Sequence, residues 1–155
     1  MSDLDDIYGN RILELAAAIP GTEPLANPDA TASAHSKLCG STVSVAIQMA
    51  NGVVTGFSQN VKACLLGQAS ASVVGREIIG TTPDELRDVA ETMRKMLKED
   101  GPKPEGRWAD LGVLQPVKDY KARHTSTLLI FDALDKAFRQ IAAHQDDTTA
   151  YAEAG

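Results

Sequence analysis

The sequence predicts an α+β fold: a small antiparallel sheet of about three strands, an N-terminal helix, and further helices packed on one face. Three observations carry this. Residues 41–49 alternate in character, Asn51-Gly52 follows, and residues 53–61 return as a partner strand. Helical periodicity flanks that hairpin and does not interleave with its strands, which argues against a parallel βαβ arrangement. The chain has 155 residues, 43% of them hydrophobic and 23% charged, enough for one globular domain (1–155) with a real core and no disulfide staples.

Taken in order, residues 5–18 place Ile7, Ile12, Leu13, Leu15 and Ala16 on a helical repeat that ends before Pro20-Gly21. Pro24, Asn27 and Pro28 make residues 21–30 irregular, and residues 31–37 read as a short edge strand. In the hairpin, Val43, Val45, Ile47 and Met49 share one face. Past Cys64 the pattern turns helical, with Ala69, Val73, Val74 and Ile78 on one side and small residues at 69–72 that permit close approach. Thr82-Pro83-Asp84-Glu85 is a strong helix start, with Thr82 as N-cap, and the helix runs to about Lys98. Residues 100–106 form a Pro/Gly loop, and residues 108–113 and 114–120 are short pieces that helix and strand patterns do not assign to an element. A long helix begins near Arg123 and carries Leu128 through Ile141. Residues 1–5 and 145–155 are expected to be frayed tails.

The formal charge of −6 argues against nucleic acid or an anionic membrane as main partner, since both need clustered cations. No apolar run is long enough to span a bilayer, and the acidic start Met1-Ser2-Asp3 does not read as a secretory signal. Two cysteines in a chain of this length suggest free thiols in a reducing compartment, so the expected location is the cytoplasm.

Those two cysteines lead to the chemistry. Cys39 sits beside Gly40 between two strand patterns, and Cys64 sits where a strand pattern gives way to a helix. A thiol at a helix start faces unpaired N–H groups and the positive end of the dipole, which favour the thiolate. His124, at the start of the last helix, follows Lys121 and Arg123 and precedes Thr125-Ser126-Thr127. His35 and His144 read as passive surface residues. Two thiolates and an imidazole suit Zn²⁺ or iron–sulfur chemistry, not Mg²⁺ or Ca²⁺, although their long spacing specifies no site by itself.

The blocks Cys39-Gly40-Ser41, Val61-Lys62-Ala63-Cys64 and Gln68-Ala69-Ser70-Ala71-Ser72 resemble the U-type iron–sulfur scaffold family, which includes IscU, SufU and the NifU amino-terminal domain. Residues 100–116, with Trp108-Ala109-Asp110-Leu111, resemble the insertion that separates SufU from IscU. Arg123-His124-Thr125-Ser126-Thr127-Leu128 aligns with the region of the family's third cysteine. The resemblance spans roughly Ile7 to Ile141. It implies a non-enzymatic scaffold or sulfur carrier that holds zinc, iron or a transient iron–sulfur cluster, with a cysteine desulfurase and recipient apoproteins as partners. Cys39, Cys64 and His124 fall on ligand positions.

Two departures shrink the family's ligand set. Ser41 stands where the family has a ligand aspartate, and Thr125 where it has the third cysteine. A hydroxyl keeps its proton at neutral pH and is a poor ligand for soft metals. Ser41, Thr125 and Arg123 therefore border the site, and its fourth position is left open to water, a partner's cysteine or a small thiol. Sulfur acceptance at the third-cysteine position is lost, while the resemblance to SufU-type members, which use the first cysteine, leaves acceptance through Cys39 open. The alternative expectation is a cluster-less adaptor or regulator of the desulfurase machinery. A thiol enzyme with Cys64 as nucleophile and His124 as base lacks an orienting third group and an oxyanion site.

Overall fold

The computed structural model describes residues 10–37 and 40–154, with side chains through residue 143. Helix α1 covers Asn10–Ala17, and the part of the expected first helix that includes Ile7 lies outside the described residues. Strands β1 (Ala30–His35), β2 (Thr42–Ala50) and β3 (Val53–Lys62) form an antiparallel sheet in the order β1-β2-β3. Helices α2 (Leu65–Glu77) and α3 (Pro83–Lys98) follow, then 3₁₀ turns over Gly106–Asp119 and Lys121–Arg123, then the long helix α4 (His124–Ala154). The α+β class is as expected.

Alternation in the strands fixes which face is covered. Ala30, Ala34, Val43, Val45 and Ile47 point inward and are buried, and α4 packs across β1 and β2. The opposite face carries small polar pairs, with Ser33 and Ser44 hydroxyls 2.7 Å apart and His35 Nδ1 3.0 Å from Thr42 Oγ1. His35 thus ends in a cross-strand polar pair, in keeping with a passive role. The hairpin turns at Asn51 (φ 55°) and Gly52 (φ 80°), the two positive values that a primed turn demands. A register shift after Gln48 opposes Met49 to Val54 and lets Val54 stay in the core.

Helix α2 departs from the one-sided pattern expected of it. Every residue from Leu66 to Val74 except Gln68 is buried, so the helix runs through the centre of the molecule. Ala, Ser and Gly side chains are what allow α1, the 3₁₀ run and α4 to crowd around it. Helix α3 begins as expected: Thr82 Oγ1 accepts the Glu85 N–H at 3.1 Å and Pro83 occupies the first turn.

The stretch 108–120 is the clearest addition to the reading of the sequence. Trp108, Leu111, Leu114 and Val117 are all buried and recur every third residue, the period of a 3₁₀ helix. The run is tied down at Asp110, whose carboxylate pairs with Arg11 of α1 and, at 2.9 Å, with Arg76 of α2. Those two guanidiniums hold the Asp110 carboxyl below the usual aspartate range. Helix α4 continues to Ala154 because no proline or glycine interrupts it. Among the described residues no helix is long and apolar enough to cross a membrane.

Candidate metal centre

The β2–β3 register brings Ser41 and Cys64 to one end of the sheet. Thr42 pairs with Lys62, so Ser41, just before β2, and the β3–α2 junction at Cys64 lie at the same end of the sheet. Between β1 and β2, Ser36 N–H donates to Ser41 O at 2.8 Å and Gly40 N–H donates to Ser36 O at 2.9 Å. Cys39 lies outside the described residues. Ser41 is buried, so the residue in the aspartate position is packed into the fold.

Cys64 is the N-cap residue of α2, with extended backbone (φ −66°, ψ 169°). Its half-buried sulfur makes no capping bond to its own helix, which leaves it free to meet another element. That element is the first turn of α4. Cys64 Sγ lies 3.2 Å from Ser126 Oγ, and Ser126 is fully buried. Ser126 Oγ also lies 3.3 Å from the Arg123 carbonyl, to which it can donate. The serine has one proton to give. When Cys64 is a thiol, its S–H points at Oγ and the serine donates to Arg123 O. When the sulfur is unprotonated, the serine proton turns to Sγ.

Close approach of the two helices depends on Gly67. A Cβ at that position would sit 2.9 Å from Ala63 Cβ and 3.0 Å from Ser126 O, inside normal contact distance. Gln68 adds a second restraint, since its side-chain amide donates to Ala63 O at 2.7 Å and fixes the peptide just before Cys64.

His124 is the first residue of α4 and only 6% exposed. Its Nε2 lies 3.0 Å from Val117 O and 3.1 Å from Lys118 O, at the end of the 3₁₀ run. Two carbonyl partners require Nε2 to carry the proton. The neutral ring then keeps its lone pair on Nδ1, which no described residue engages. This is how a protein commits an imidazole to one ligating nitrogen. A thiolate sulfur and an imidazole nitrogen are donor types that Zn²⁺ and iron accept, and Cys64 at the start of α2 and His124 at the start of α4 carry one of each. Among the described residues no three His, Cys, Asp or Glu side chains group to hold a metal, and Cys39, the expected third donor, is not among them.

Thr125, in the position of the absent third cysteine, is exposed. It lines a cavity of about 360 Å³ together with Leu97, Lys98, Lys118, Lys121 and His124. Arg123 is half-buried, and its carbonyl anchors the hydroxyls of Ser126 and Thr127. His144 has its side chain outside the described residues. The sequence alone gives Ser126, Gly67 and the Val117–Lys118 carbonyls no place at the site, and Gln68 stands out only within the block Gln68-Ala69-Ser70-Ala71-Ser72. The Thr125-Ser126-Thr127 run was visible, but only the packing of α4 on α2 shows which hydroxyl meets the thiol.

Comparison with known proteins follows this geometry closely. The chain superposes with a TM-score of 0.89 on the crystal structure of a nitrogen-fixing NifU-like protein, amino-terminal part, from Brucella abortus. The two are 58% identical, over 92% of this chain and 99% of that one. A putative iron–sulfur cluster assembly scaffold protein for the SUF system from Fervidobacterium islandicum shares the fold, with a TM-score of 0.78 at 20% identity over 86% of this chain and 97% of that one. The iron–sulfur cluster assembly scaffold protein IscU of Thermotoga maritima is 28% identical over 103 residues, 66% of this chain and 72% of that protein. A scan against models of known protein families finds no match.

Proposed function

The chain belongs to the U-type iron–sulfur scaffold family, and on that premise we propose that it holds zinc, iron or a nascent iron–sulfur cluster as cargo through Cys39, Cys64 and His124. The observation that carries this reading is the α2–α4 junction. There Cys64 Sγ meets Ser126 Oγ at 3.2 Å, and His124, two residues earlier, has its tautomer set by two backbone carbonyls. Two thiolates and a neutral imidazole balance a divalent cation, whereas the full family set would leave a negative site. Metal affinity is accordingly weaker than in a scaffold with the complete set.

The protein acts without turnover chemistry of its own, with a cysteine desulfurase as sulfur donor and apoproteins as recipients. Thr125 has no sulfur to form a persulfide. Cys39 thiolate can instead attack the terminal sulfur of a donor persulfide: a new S–S bond forms, the old one breaks, and the donor cysteine leaves as thiolate.

The test is anaerobic reconstitution with iron and sulfide, followed by metal and sulfide analysis. The parent is expected to hold stoichiometric metal, and Cys64→Ser and Cys39→Ser to lose most of it. Equal iron, zinc and sulfide in the parent and a Cys39→Ser/Cys64→Ser variant would sink the reading. The second reading, a cluster-less adaptor of the desulfurase, is favoured by exposed Thr125 and buried Ser41 in ligand positions. Stoichiometric metal in the freshly purified protein, lost in His124→Ala, would count against it.

A further inference from the structure

Helices α3 and α4 leave a cavity of about 320 Å³ between them, within the range of small-molecule sites, roughly 300–1,000 Å³. Its apolar lining comes from Leu86 and Ala90 on α3 and from Leu128, Phe131, Leu134 and Phe138 on α4. Leu86, Phe131, Leu134 and Phe138 are buried, and the small side chain of Ala90 leaves the room. Six charged residues join the lining, three of each sign: Arg87, Arg94 and Lys98 against Glu91, Asp132 and Asp135. Four of them satisfy one another. Arg94 pairs with Glu91, and Arg87 with Asp135 at 3.5 Å.

One cation and one anion are left over. The side chains of Lys98 and Asp132 make no ion pair or hydrogen bond among the described residues, and Lys98 acts on Asp132 only through space. Lys136 also acts on Asp132, but its ammonium is held on Ser33 O at 3.1 Å. Burial pushes the Asp132 carboxyl above the usual aspartate range, and the two lysines do not overcome it. Asp132 lies one turn before Asp135, and Lys98 shares the lining with Thr125 at the start of α4. The two unpaired charges therefore lie on the same side of the Arg87–Asp135 pair, across a gap that no described side chain closes. Among the described residues the exposed large hydrophobics are Leu13 and Ile79, neither of them in this lining. The groove thus offers little apolar surface to a docking protein, whereas its enclosed volume suits a small molecule.

We propose that this cavity binds a free α-amino acid with an apolar side chain, its ammonium on Asp132, its carboxylate on Lys98 and its side chain against the apolar lining. An α-amino acid carries both counter-charges on one carbon, so a single ligand engages both leftover groups, each through a charge-assisted hydrogen bond. Binding is reversible and involves no covalent step. The inference does not depend on the metal-holding reading.

The experiment titrates the full-length chain with L-leucine, 3-methylbutylamine and 4-methylpentanoate and follows backbone amide shifts by NMR. The second probe lacks the carboxylate and the third lacks the ammonium. Leucine is expected to shift amides around Ala90, Leu128 and Asp132, and each analogue to bind about tenfold more weakly. Asp132→Asn should weaken leucine about tenfold and leave 4-methylpentanoate unchanged, while Lys98→Gln should weaken leucine equally and leave 3-methylbutylamine unchanged. Ala90→Leu fills the cavity and should abolish all three titrations, with the amide spectrum of β2 and β3 showing that the fold is kept. No shift with leucine up to its solubility limit overturns the proposal. Leucine binding no tighter than the amine would make this a cation site, and no tighter than the carboxylate an anion site; either result overturns it, as does unchanged leucine affinity in Asp132→Asn or Lys98→Gln.

Discussion

At the hairpin end of the sheet, Asn51 and Gly52 reverse the chain with φ of 55° and 80°, and a Cβ added at Gly52 would meet nothing within 4 Å. At the opposite end, Cys64 is met by Ser126, 62 residues further along, and a Cβ at Gly67 would collide with both Ala63 and Ser126. Both glycines are needed, for different reasons. Gly52 answers a demand of its own backbone, while Gly67 answers the approach of a distant helix. The first kind of requirement is local and functionally silent. The second couples packing to the position of the Cys64 sulfur, so strain there is felt at the candidate site.

Substitutions that separate the two ends sharpen this contrast. Gly67→Val forces α2 away from α4 and should cost about 3 kcal/mol in urea unfolding, the upper part of the overpacking range. The same variant should lose metal retention even where it remains folded. His124→Ala comes next, because Lys118 O loses the imidazole donor and Val117 O is left with the Tyr120 N–H alone; about 2 kcal/mol is expected. Adding imidazole should partly restore metal binding in that variant without restoring its stability. At the other end, Gly52→Ala should cost about 1 kcal/mol through its left-handed backbone, with metal content unchanged. A loss of metal in Gly52→Ala equal to that in Gly67→Val would erase the distinction between the ends.

The smallest expected effect concerns the clamp on the 3₁₀ run. Asp110 is held below its ordinary pKa by hydrogen bonds from Arg11 and Arg76. A carboxyl with a depressed folded-state pKa stabilises the fold above its unfolded value, about 3.9, and that contribution is lost as pH falls through the folded value. Asp110→Asn should therefore melt slightly lower than the parent at neutral pH, with the gap closing in acid. The pair is partly solvated, so the gap is small and salt-sensitive. A gap that widened below pH 4 would mean that the clamp does not act through this charge.

Much of the architecture was legible because its causes lie within a few residues of one another. Alternation along β2, the Asn51-Gly52 turn and the Thr82-Pro83 helix start are each decided by neighbours, and each is found where the sequence places it. The 3₁₀ run carried a readable signal as well. Trp108, Leu111, Leu114 and Val117 repeat at three, a period easily overlooked beside the 3.6 and 2 of ordinary helices and strands. Helix α2 was misread as one-sided because small residues mark close packing without saying from which direction it comes. Of the candidate site, residue types point to Cys64, His124 and the hydroxyl at Thr125, but not to the contact of Ser126 with Cys64 or the carbonyls that set the imidazole tautomer.

Family identity, hairpin register and the absence of a third thiol were all fixed by residue type and order, since each depends on the chain's own covalent sequence or on immediate neighbours. The partner of the Cys64 sulfur, the free nitrogen of His124 and the lysine-lined cavity at Thr125 depend on tertiary contacts. They arise from groups distant in sequence that meet only when α4 and the 3₁₀ run close over the central helix. No local propensity encodes such meetings, because the packing that produces them is a property of the whole core.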